Sequence, residues 1–293
     1  MKKHKGITLV ELLVVITVAV SLLLIWWAAR GRVHVTPYRV LCGTYLKGLG
    51  NAMTVYAYDY DGRFPQLPGT GPWAKELGFS YDMPKPDFSS GGAQADTPRT
   101  VTASWYLLVR EADVGPKSFV CPHSYQKEFD GINSNNLDLV QLWDFGPTPH
   151  THVSYSMHLP YGRFPGHDKL SSAFAVAADM SPWFKGGDIQ PPGPNNTHPQ
   201  ILNLADPTSR YIGNTLNHPK LKTKNPEGQN VLFADGSTRY ETGPNVGVGN
   251  DNIYTFWTTD ENPTQQDIQG GAAPTGRTPE NDAKSETDSF LVI

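Results

Sequence analysis

The chain is poor in cysteine, with only Cys42 and Cys121 among 293 residues. That count excludes a disulfide-stapled scaffold. An even pair permits one bridge in an oxidising compartment, with two buried free thiols as the alternative. A basic stripe is also missing. With 24 Lys and Arg against 28 Asp and Glu, the net charge is −4, so nucleic acid is not an expected partner. There is no Gly-x-Ser-x-Gly elbow, P-loop, dinucleotide fingerprint or His-Glu-x-x-His pair. The chemistries those motifs serve therefore have no foothold in the sequence. No internal repeat is evident, and no linear Asp-x-Asp-x-Asp-Gly calcium loop occurs.

What is present begins at the N-terminus. Lys2, Lys3 and Lys5 lead through Gly6 into an apolar run from Ile7 to Trp27. At 1.5 Å per residue that run is about 31 Å long, matching a bilayer core. A secretory signal would have a shorter apolar region and a small-residue cleavage site beyond it. Here the far side reads Trp26-Trp27-Ala28-Ala29-Arg30, an aromatic belt followed by a cation. The basic stub orients the N-terminus to the cytoplasm and the remainder outward. Glu11 is the one ionisable residue in the run. A carboxylate in hydrocarbon costs at least about 2.5–3.5 kcal/mol, so it needs a partner. If the chain is cut after Gly6, the new amino group of Ile7 on a neighbouring copy is a cation of the right kind.

Lys5-Gly6-Ile7-Thr8-Leu9-Val10-Glu11 resembles the processing and methylation motif of type IV prepilins and type II secretion pseudopilins. The resemblance implies cleavage after Gly6 by a prepilin peptidase and methylation of residue 7, where the family usually has phenylalanine and this chain has Ile7. It also implies other pilin subunits, an inner-membrane assembly platform and the bilayer as partners. Tyr56-Ala57-Tyr58-Asp59-Tyr60-Asp61-Gly62-Arg63-Phe64-Pro65 is similar to the helix exit of major pseudopilins. Phe119-Val120-Cys121-Pro122 resembles a Cys-Pro element of large prepilin-like proteins from planctomycete-type bacteria. A third likeness is to the prepilin-associated element in which nine residues separate a histidine from Asp-Gly. Here sixteen separate His218 from Asp235-Gly236. Ala177-Ala178-Asp179-Met180 resembles the strand end that precedes that element.

Beyond the membrane, Pro37 should interrupt or kink the helix. Cys42, Leu46, Leu49, Met53, Tyr56 and Tyr60 then recur at steps of three and four, one stripe of an amphipathic helix that Gly62 stops. With 28 Gly and 25 Pro, the body is expected to be rich in loops. The strand candidates are residues 104–109, 153–157, 174–178 and 231–234, with Asp235-Gly236 as a two-residue hairpin turn. The expected fold is α+β: a long N-terminal transmembrane and amphipathic helix packed on an antiparallel β-sheet domain with long loops, in the pilin-like manner. The parts are a leader (1–6), a transmembrane helix (7–29) and its amphipathic continuation (30–62). An outward-facing domain (63–257) follows, carrying the His-Asp-Gly-like element at 217–240. A flexible polar tail closes the chain (258–293), ending in an apolar terminus, residues 289–293, that is a candidate to dock as a last strand.

Convergence of Asp179, His218 and Asp235 at strand ends would make a metal or hydrolytic site. His150, His152 and His158 invite a zinc reading, though His-x-His in a proline-rich loop carries little weight. Asp59, Asp61, Asp206 and Asp235 offer oxygens to calcium, with Asp206 and Asp235 the candidates kept. No resident cofactor and no catalysis are expected. Trp73, Trp105, Trp143, Trp183 and Trp257 could bind polysaccharide if exposed. The function read from the sequence is a pilin-like structural subunit of a bacterial inner membrane, cleaved after Gly6 and assembled through its N-terminal helix into a pseudopilus or pilus. The alternative is a membrane-tethered binding module for carbohydrate or protein that does not polymerise.

Overall fold

The computed structural model describes residues 8–30, 36–190, 213–218, 226–260 and 262–293. It divides into two compact units, Met1–Tyr38 and Arg39–Ile293. The first unit contains helix α1, Leu9–Arg30. Its Leu9–Trp27 stretch has a mean hydropathy of 2.7 and no buried residues. Among the described residues it is the one helix long and apolar enough to cross a bilayer.

Helix α2, Thr36–Asp59, starts at the boundary of the units. Pro37 lies in its first turn, where a missing amide forfeits no helical hydrogen bond, so the proline opens α2. The stripe from Cys42 through Leu46, Leu49 and Met53 to Tyr56 is buried as its spacing predicts. Tyr60 departs from it: the ring is exposed and stacks on Tyr56 at 4.0 Å.

The core sheet holds five strands: β1, Tyr155–His158; β2, Ala175–Asp179; β5, Gln229–Phe233; β6, Thr238–Glu241; and β7, Leu291–Val292. Their order is β6-β5-β2-β1-β7, and every pairing is antiparallel. A separate ribbon joins β3, Phe184–Lys185, to β4, Asp188–Ile189. Every residue of β1, β2 and β5 is buried. Strands covered on both faces read as short apolar runs without alternation, which is how three of the four strand candidates were recognisable. Helix α2 presses closely on β5. A Cβ on Gly50 would sit 2.5 Å from Leu232 Cδ1, and one on Gly43 would sit 2.9 Å from Asn230 Oδ1. A side chain at either position would have to displace that neighbour.

Three expectations change. Residues 104–109 are not a strand but belong to helix α3, Val101–Glu111. Thr100 caps it by accepting the Ala103 amide at 3.1 Å. The β5–β6 hairpin forms, but not through a two-residue turn. Leu232 pairs with Thr238, and the Phe233 amide donates to the Ser237 carbonyl at 2.9 Å. Gly236 alone supplies a positive φ, of 75°. This is a longer loop with a left-handed glycine. Finally, the described residues between 258 and 288, expected as a flexible polar tail, are packed. They contain the short helix α4, Gln265–Gly270, and lead into β7. Their polar groups pair among themselves and with the body: the amides of Trp257 and Lys284 donate to Asp288 Oδ2 at 3.0 and 2.8 Å. A polar composition leads to disorder only where such groups are left to water. The apolar terminus docks as a strand beside β1.

Candidate functional site

Two places gather chemistry-bearing residues. At the start of α1, the Thr8 hydroxyl accepts the Glu11 amide at 3.2 Å, and Glu11 Oε2 accepts the Thr8 amide and hydroxyl at 2.8 and 2.9 Å. Thr8-Leu9-Val10-Glu11 is thus a capping box, which answers two of the orphan amides that open any helix. Glu11 therefore has a local partner in Thr8, which the Thr-x-x-Glu spacing encodes. Among the described residues its hydrogen bonds all use Oε2. Gly6 and Ile7 lie outside the described residues.

The second place is the interior of the larger unit. Cys42, Cys121, Asp179 and His218 are all buried there, and one ligand atom from each lies within 4.8 Å of the others. Four separate segments bring them together. Cys42 faces inward from the first full turns of α2, on the stripe that also holds Leu46 and Leu49. Cys121 follows Phe119, whose ring packs edge-on against Trp105 and Phe145 and whose carbonyl accepts the Ser154 amide at 2.8 Å. Asp179 ends β2 opposite Tyr155, and its carbonyl accepts the Tyr254 hydroxyl at 2.8 Å. His218 is placed through its neighbour Asn217, which donates to the Ser154 carbonyl at 2.9 Å.

Within the cluster, His218 Nε2 is 3.1 Å from Asp179 Oδ2 and 3.9 Å from Cys121 Sγ. Asn230 on β5 orients the carboxylate, donating its amide and its side-chain nitrogen to Oδ2 at 2.7 and 3.1 Å. The same side chain bonds the Arg39 carbonyl on α2 at 3.2 Å, an approach that Gly43 leaves open. Asp179 Oδ1 and His218 Nδ1 are buried without a hydrogen-bond partner. Cys42 and Cys121, expected as a possible disulfide pair, are free thiols here.

The electrostatics are those of a shared site. Cys121 is lowered, first by the hydrogen bond it shares with Cys42 and then by His218, while Cys42 is raised by the same shared bond and by burial. Burial alone would pull the His218 imidazole down. The Asp179 carboxylate outweighs it and lifts His218 to about 10. The three groups Cys121, His218 and Asp179 do not form a nucleophile relay. A relay uses opposite ring nitrogens for the nucleophile and the carboxylate, whereas His218 offers Nε2 to both.

The other sequence candidates disperse. Asp235 is exposed in the hairpin turn, where it accepts the Ser237 amide at 2.8 Å. It lies past the far end of β5 from Asn230, so the expected meeting of His218 with Asp235 does not occur. Gly236 instead offers its carbonyl to Lys47 at 2.5 Å. Asp206 lies outside the described residues. His152 is committed to the Lys127 carbonyl at 2.8 Å, and His158 to Phe164 and Phe290, so the proposed histidine group does not assemble. Trp73, Trp105, Trp183 and Trp257 are buried. Trp143 is half-buried under the Arg110 guanidinium at 3.7 Å. Nothing in the sequence pairs the two cysteines with Asp179 and His218. The signals that could have done so are the Cys-Pro element and the Ala-Asp strand end, read together.

Residues 1–27 match the family model described as the prokaryotic N-terminal methylation motif. No curated protein and no solved structure matches the chain. The motif, with the apolar helix it contains, indicates a prepilin-like protein, anchored in a membrane and handled by a prepilin peptidase.

Proposed function

We propose that the chain is a structural subunit of a type IV pilus-like or type II secretion system, cut after Gly6 and polymerised through its N-terminal helix. The observation that carries this reading is the match of residues 1–27 to the methylation motif, a stretch that contains the apolar span Leu9–Trp27 of membrane-crossing length. A pilin-like arrangement, helix on antiparallel sheet, is consistent with the close seating of α2 on β5. The domain then faces away from the cytoplasm, and the bacterial inner membrane holds the helix before assembly.

Cleavage between Gly6 and Ile7 leaves the capping box intact, since Thr8 becomes the second residue of the mature chain. Glu11 keeps its helix-start role on Oε2 and offers its other oxygen to the Ile7 ammonium of the next subunit. In a bilayer or a filament core, a pair of that kind offsets the desolvation of both charges only when each is held in place, and the box holds one of them.

Mass spectrometry of the protein from cells should show a chain beginning at Ile7. Gly6→Ala should leave the precursor uncut. Glu11→Ala should still insert into membranes but yield no filaments; normal filaments from that variant would remove the pairing from the proposal. Full function without polymerisation would instead favour a tethered binding module.

A further inference from the structure

We propose that Cys42, Cys121, Asp179 and His218 hold one zinc ion in a closed tetrahedral site that fastens α2 to the sheet. The proposal goes beyond the filament reading and does not depend on it.

Donor chemistry comes first. Two thiolates, one imidazole and one carboxylate are the ligands zinc takes, and four protein ligands leave no open position, the mark of a structural site. Geometry agrees. With Zn–S near 2.3 Å and Zn–N or Zn–O near 2.0 Å, the edges of a tetrahedron are about 3.3–3.8 Å. The observed Nε2–Oδ2 and Nε2–Sγ separations are 3.1 and 3.9 Å, and no pair among the four exceeds 4.8 Å. An ion at the centre requires adjustments of about an ångström at most.

Burial supplies the second, independent argument. Asp179 is fully buried, and its Oδ1 has no hydrogen-bond partner. Buried charges are paired or coordinate metals, and Asp179 has Oδ2 paired with His218 and Asn230 while Oδ1 is left without a partner. A disulfide between Cys42 and Cys121 would not account for a carboxylate and an imidazole converging on the same two sulfurs. It would leave Asp179 Oδ1 without a partner beside the Asp179–His218 ion pair. A single ion answers all four groups. Among the described residues this is also the only convergence of three or more such ligands.

The surroundings fit a held ion. Asn230 donates twice to Asp179 Oδ2, the kind of outer contact that orients a ligating carboxylate. Its third bond, to the Arg39 carbonyl, ties the same support to α2. The ligands come from α2, the Cys-Pro loop, the end of β2 and the 213–218 segment. One ion would therefore cross-link four segments spread over 177 residues of sequence, from Cys42 to His218.

The test uses the full chain, purified in detergent without a histidine tag or chelator from zinc-replete cells. Elemental analysis should give one zinc per chain. Organomercurial modification of the two thiols should release that zinc stoichiometrically to a chromogenic chelator. Cobalt exchanged into the site should show thiolate-to-cobalt charge transfer with the intense visible bands of a tetrahedral centre. Cys42→Ser should lose the metal. Asn230→Ala should keep it with affinity weakened about 10–100-fold, an effect on the metal that a merely structural asparagine would not produce. If wild-type protein contains no zinc, takes up none on titration and has an intact mass two hydrogens short, the pair is a disulfide and the proposal is overturned. Free thiols that bind neither zinc nor cobalt overturn it equally.

Discussion

His158 shows how one buried side chain sets an acid limit on stability. Its Nε2 faces the Phe164 carbonyl at 2.7 Å, and its Nδ1 accepts the Phe290 amide at 3.1 Å. Both bonds suit the neutral ring, and a proton on Nδ1 would break the second. Burial lowers the group from 6.5 to about 4. Between those values the unfolded chain binds a proton that the folded one refuses, so stability is complete above about pH 6.5 and is lost as pH falls towards 4. The full effect is roughly 3 kcal/mol. His158→Gln should cost about 1–3 kcal/mol near neutrality through its weaker bonding. Its deficit relative to wild type in urea unfolding should shrink steadily as the pH is lowered. A deficit that stays constant down to about pH 4.5 would show that the imidazole does not titrate in this window.

At the scale of elements, the α2–β5 contact depends on having no side chain at Gly50. Gly50→Val should destabilise the domain by about 1–3 kcal/mol in denaturant titration, since the fully buried Leu232 side chain beside it would have to shift. An unchanged midpoint would mean the helix is free to lift. Helix α2 was legible because one face meets the core and the other meets solvent, which writes a period of 3.6 into the sequence. Helix α3 was not, because Val101 to Val109 are all buried. With no exposed face, the segment Ser104-Trp105-Tyr106-Leu107-Leu108-Val109 reads as a run of β-formers, and only Thr100 marked a helix start. The buried cluster was hidden for a different reason. Cys42, Cys121, Asp179 and His218 lie far apart in sequence, so no ligand spacing exists to recognise. Asp179 and His218 were rightly placed together. Asp235, the third partner the sequence suggests, serves the hairpin turn, and the cysteines take its place.

For the whole molecule, the decisive feature is the C-terminal segment. Phe290 is fully buried against Trp73 and Phe256, with ring centroids 6.3 and 5.3 Å away, and its carbonyl accepts the Leu159 amide at 3.0 Å. Phe290→Ala should therefore cost about 3–5 kcal/mol, where a flexible tail would show no change in thermal or urea unfolding. The placement of β7 also bears on how fast the protein reaches its native state. Strand β1 pairs with β2 about twenty residues downstream, but its other edge waits for Leu291 and Val292, more than 130 residues later. Until that late segment arrives, an apolar strand edge stays open to any extended chain nearby. Long-range closure of this kind slows folding. A subunit emerging across a membrane among copies of itself would spend that interval vulnerable to mispairing, so refolding should be slow and its yield should fall steeply with protein concentration.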